Sequence, residues 1–111
     1  MIEIPFSEIN DNDEFWSGAI FRRYGTNLNI ISQEEDFFEY MLVDDPGFEY
    51  MLCVHIDKWE AGTSVCHLSK TVGLNRHTVL ANEFRKKMIL PDEVISWFYV
   101  TGGIRETITR A

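Results

Sequence analysis

The sequence predicts a mainly α protein of the α+β class, helices closed by a C-terminal β-hairpin. Phe48, Met51, Leu52, His55, Ile56 and Trp59 follow the i, i+3, i+4, i+7, i+8, i+11 spacing of a helix face. Helix-start signals precede two apolar stretches, "SQEE" at 32–35 and the pair Asp45–Pro46. The runs "VISWFYV" and "IRETIT" flank "TGG", two β-rich segments about a Gly-Gly turn of the kind that closes a hairpin.

Taken in order, "MIEIPF" alternates apolar and polar residues like a short strand or an ordered arm, and Pro5 discourages a central strand. Asp11 or Asp13 then caps a helix in which Phe15, Trp16, Ala19 and Ile20 share one side and which Gly25 ends. In "SQEE", Ser32 accepts from the backbone at Glu35 while Glu35 reaches back, and the helix that follows carries Phe37, Phe38, Met41 and Leu42 as far as "DDPG". Asp45 as cap and Pro46 at the first helical position start a third helix. That segment has a second reading, because Phe48, Tyr50, Leu52, Val54 and Ile56 also alternate as a strand does; the caps and the terminator Gly62 favour the helix. "TSVCHLSKTV" fits a capped helix or the second half of a hairpin. "GLN" supplies a tight turn, and "RHTVLANEFRKKM" a helix with Leu80, Phe84 and Met88 as its apolar stripe.

A chain of 111 residues is one domain's worth, and 45% hydrophobic with 14% aromatic residues argues for a packed core against disorder. No apolar run approaches the roughly 20 residues that span a bilayer, and "MIEIPFSEINDNDE" lacks a signal peptide's basic start and apolar middle, so a cytoplasmic location without membrane contact is expected. In a reducing cytosol Cys53 and Cys66 are expected to be free thiols. The net charge of −8 is unevenly spread: residues 1–60 hold 14 Asp/Glu against three Lys/Arg, whereas residues 61–111 hold four against seven. Such asymmetry bears on partners more than on fold.

Residues 63–88 followed by the hairpin resemble the helix-turn-helix of winged-helix transcriptional regulators. In the matching positions Leu68 and Val72 anchor the first helix, Ser69 allows close approach, Gly73 takes a left-handed backbone, Leu74 plugs the corner and Val79 holds the second helix. The resemblance spans residues 46–109 at its widest and leaves the acidic residues 1–45 without a role. It implies sequence-specific binding of double-stranded DNA, as a homodimer reading two half-sites, with no catalysis, cofactor or metal. Asn75, Arg76, His77 and Thr78 would open the recognition helix, with Asn82 further along it; Lys70, Arg85, Lys86 and Lys87 would neutralise phosphates. One departure stands out. Three, four and seven positions after Val79, where such helices are apolar, stand Asn82, Glu83 and Lys86, and the apolar stripe is rotated by about 100°.

A reading from a different class rests on composition alone. Small size, abundant carboxylates and aromatics, and no catalytic set suit a protein that neutralises a basic partner, as small acidic immunity proteins block nuclease toxins. Glu34, Glu35, Asp36, Glu39, Asp44 and Asp45 would then make the contact. Cys53, His55, Cys66 and His67 invite a zinc site, but their spacing is not that of a paired CxxC site, and packed thiols and imidazoles are the simpler reading.

Overall fold

The structure, a computed structural model, describes residues 2–25, 37–45, 47–56, 62–71, 77–101 and 106–111. It is mainly antiparallel β, which overturns the mainly α expectation. Its strands are β1 (Ile2–Pro5), β2 (Glu14–Trp16), β3 (Ile20–Tyr24), β4 (Phe37–Asp44), β5 (Tyr50–His55), β6 (Ser64–Ser69), β7 (Thr78–Leu80), β8 (Trp97–Thr101) and β9 (Ile108–Thr109), with one α-helix, α1 (Ala81–Met88). Short 3₁₀ turns occupy Phe6–Glu8 and Pro91–Ser96. Six strands form one sheet in the order β1-β8-β3-β4-β5-β6, and three form a second in the order β7-β2-β9.

Register decides which side chains share a face. Ile4, Tyr99, Phe21, Tyr40 and His55 are successive partners across five strands, as are Leu42, Cys53 and Cys66. This face is the inner one: Phe21, Leu42 and Cys53 are fully buried and Tyr40 and Tyr99 nearly so. The second sheet contributes its own row, Val79–Phe15–Ile108, all buried. Between the layers Phe84 of α1 stacks on Phe21 with ring centroids 4.1 Å apart and on Phe6 at 5.4 Å, and meets Trp97 edge-on at 5.7 Å. Seven aromatic rings, Phe6, Phe15, Phe21, Tyr40, Phe84, Trp97 and Tyr99, thus fill the space that strands and helix enclose.

The helix-turn-helix does not form. The Cys66–Leu68 stretch assigned to its first helix is strand β6, paired antiparallel with β5 (Tyr50–His55) as the strand alternative had it. Where the recognition helix was expected to begin, Thr78–Leu80 is strand β7, hydrogen-bonded to β2, and the helix starts only at Ala81. The "GLN" turn, with Asn75 and Arg76, lies outside the described residues. No winged-helix wing forms either: β8 lies between β1 and β3 while β9 pairs with β2, so the two β-rich runs belong to different sheets. The expected helices over Phe15–Ile20 and Phe37–Leu42 are likewise strands β2, β3 and β4, and "SQEE" is outside the described residues. Asp13 caps a turn rather than a helix, accepting the Asn10 N–H at 2.9 Å. The opening strand is present, and with Pro5 it stands at a sheet edge. Among the described residues no helix is long and apolar enough to cross a membrane.

Burial pushes the Cys53 thiol far up, with neighbouring Cys66 adding to the effect, and burial likewise raises Cys66, Tyr24 and Tyr99. The unfolded chain therefore loses these protons at lower pH than the native one. The stabilisation is complete below the unfolded values and is lost as pH rises through the folded ones. Urea midpoints are expected to hold level through neutrality and to fall above about pH 8.5, where free thiols begin to ionise. Cys53→Ala should flatten that fall; an alkaline slope unchanged in this variant would reject the assignment to the buried thiol.

Candidate functional site

Three of the cationic residues expected to face DNA, Lys70, Arg85 and Lys87, are instead engaged within the protein. Arg85 pairs with Asp11, donates to the Ile9 carbonyl at 3.1 Å and lies 5.1 Å over the Phe6 ring. Lys87 pairs with Glu83 one helical turn away. Lys70 forms an ion pair with Asp44 at 2.7 Å and donates to the Asp45 carbonyl at 3.2 Å, with only 10% of its side chain exposed. His77 meets the other Asp44 oxygen at 3.0 Å. Thr78 is fully buried and donates to Glu14 at 2.8 Å. Asn82 is half-buried and Lys86 is exposed on α1.

Members of the two rival residue sets meet at one corner. Asp44, at the end of β4, bridges Lys70 after β6 and His77 before β7, and its own N–H donates to Ser17 Oγ at 3.0 Å. Of the remaining acidic candidates, Glu39 faces the outer side of the six-stranded sheet, where Arg22 bridges it at 2.9 Å and Glu3 at 3.0 Å. Tyr24 donates to the same Glu3 oxygen at 2.5 Å. Burial works against the Arg22 charge, but the hydrogen bonds and charges of Glu39 and Glu3 outweigh it and hold its pKa above the ordinary arginine value. Glu34, Glu35 and Asp36 lie outside the described residues.

Beside the Asp44 corner, the turn from β4 to β5 presents a built surface. Gly47 has φ +98°, a left-handed conformation that suits glycine. The Phe48 N–H donates to the Asp45 carbonyl at 3.1 Å and the Lys70 N–H to the Glu49 carbonyl at 2.9 Å, fixing both ends of the turn. Phe48 is 55% exposed. Its ring lies 5.4 Å from Tyr50, which lies 4.4 Å from His67 on the neighbouring strand, so three rings run outward from the sheet to the tip of the turn. Asp45 and Glu49 flank them, and no described residue forms an ion pair with either carboxylate.

Comparison with protein-family models, curated proteins and solved structures was made for the whole chain. None of the three gives a match.

Sequence reasoning named Asp44 and Asp45 but missed Phe48, Glu49, Tyr50 and His67. A signal was present, since the strand alternation of Phe48, Tyr50 and Leu52 sets Phe48 and Tyr50 on one side, but the helix reading put Phe48 on a core-facing stripe. Arg22 gave no signal in the sequence, because its partner Glu39 is set opposite it only by the β3–β4 register.

Proposed function

We propose that this chain is a small acidic interaction protein that binds and neutralises a basic protein partner, a nuclease toxin being the kind of target such chemistry suits. The observation that carries this reading is how the charges are placed. Arg22, Lys70, Arg85, Lys87 and Arg110 all pair with carboxylates of the same chain, and Arg23 lies over the rings of Phe38 and Trp97. Glu8, Glu49, Asp92 and Glu106 remain exposed. With net charge −8, the fold engages six of its seven described Lys/Arg internally, leaving Lys86 exposed on α1, and keeps carboxylates at the surface. Such a surface speeds encounter with a positively charged protein and repels nucleic acid.

The chain should be expressed with its native neighbours, captured, and eluted on a salt gradient. A single basic protein is expected to elute, with association weakening as salt rises, and its nuclease activity should fall when the chain is added back. Duplex DNA of random sequence should not bind even at low salt. An acidic partner, or salt-sensitive duplex binding, would reject the proposal.

A further inference from the structure

We infer that the β4–β5 turn is the docking point for an arginine side chain of the basic partner, an inference that rests on the function proposed above. A half-exposed phenylalanine on a turn pinned by two backbone hydrogen bonds loses little conformational freedom when covered. The Phe48–Tyr50–His67 rings offer π faces, and Asp45 and Glu49 are their acidic neighbours along the chain. That combination fits a guanidinium. Its plane stacks on an aromatic face while its forked N–H groups meet carboxylate oxygens, whereas an ammonium acts only as a compact, strongly hydrated point charge. Three carboxylates (Asp44, Asp45, Glu49) stand against one ammonium here, and Lys70 is turned inward to Asp44, so the tip stays anionic. Of the other exposed apolar side chains among the described residues, Ile2, Val65, Leu90 and Ile95 are aliphatic and offer no ring for a cation, and Trp16 is the less exposed ring, its indole N–H held by Thr109.

Titration of the ¹⁵N-labelled chain with an octa-arginine peptide, and separately with octa-lysine, tests this at low and moderate salt. Amide shifts are expected to centre on Asp45, Phe48, Glu49, Tyr50 and His67, with arginine binding more tightly than lysine. Phe48→Ala should weaken octa-arginine by roughly two- to fivefold, the range an exposed cation–π contact supports, while Asp92→Asn leaves it unchanged. Phe48 is outside the core, so the variant is expected to keep the parent circular dichroism spectrum. Shifts centred on Glu8 or Asp92, or equal binding of both peptides, would overturn the docking site and leave the acidic-partner proposal standing. No salt-sensitive binding of either peptide would remove both.

Discussion

Phe84→Ala is expected to destabilise the protein by about 3–5 kcal/mol, the range measured for emptying a fully buried phenylalanine site. Phe84 has no solvent exposure, and its ring meets Phe6, Phe15, Phe21 and Trp97. Those partners come from the turn after β1, from the second sheet, and from two strands of the first sheet. Removing the ring therefore leaves a void bounded by three layers, and no single one can shift to fill it without losing its own register. Since stabilities of small proteins are about 5–15 kcal/mol, the variant should be close to unfolding at ambient temperature. Phe84→Leu, which keeps most of the volume, should cost less than half as much. Urea unfolding followed by the fluorescence of buried Trp97 measures both. A loss below about 1 kcal/mol for the alanine variant would mean that α1 is not the keystone between the sheets.

How much of this was legible beforehand differs between elements, and the reason is periodicity. Strands apolar on both faces lose the two-residue signal. β4 carries Phe38, Tyr40 and Leu42 inward but Phe37, Met41 and Val43 outward, so Phe37, Phe38, Met41 and Leu42 imitate a helical face. β5 has the same composition problem, with Tyr50, Leu52 and Val54 outward against Met51 and Cys53 inward. Only its aromatic and β-branched residues distinguished the two readings, and the capping signals at Asp45 and Pro46 outweighed them, although no helix follows and Tyr50–His55 is a strand. The short strands β2 and β9 gave too few residues for any period. What the sequence did contain was the misfit of the second helix to the winged-helix pattern. Its stripe of Leu80, Phe84 and Met88 matches the helix as observed, with Phe84 at the centre of the core and Met88 packed against it. The rotated stripe reported a different docking partner, a β-sheet in place of another helix. The charge asymmetry was also real in the sequence, yet three of the second half's bases pair with the first half's acids, Lys70 with Asp44, Arg85 with Asp11 and Arg110 with Asp13. Pairing across the chain cannot be read from a linear count.

Asp13→Ala is expected to cost about 2–4 kcal/mol, from several polar groups that would lose one shared acceptor. The Asp13 carboxylate is fully buried. One oxygen accepts the Asn10 N–H at 2.9 Å and meets Arg110 Nε at 3.3 Å; the other accepts the Ala111 N–H at 2.7 Å. A single side chain thus ties the turn before β2 to the residues after β9, which are 98 positions apart in sequence. The backbone carbonyl of Asp13 separately accepts the Ala81 N–H at 2.8 Å, a bond the substitution leaves in place. The loss should therefore be polarised: amides at residues 108–111 are expected to exchange with solvent much faster, while those of α1 keep most of their protection relative to the global stability. Asp13→Asn preserves shape and one acceptor oxygen but turns an NH₂ group toward a donor, and should fall between the parent and the alanine variant. Arg110 is nearly half exposed, so its own replacement, Arg110→Ala, should cost only about 0–1 kcal/mol. If the arginine variant proved as damaging as the aspartate one, the ion pair rather than the buried amide bonds would hold the C-terminal strand, and the order of these two effects decides between them.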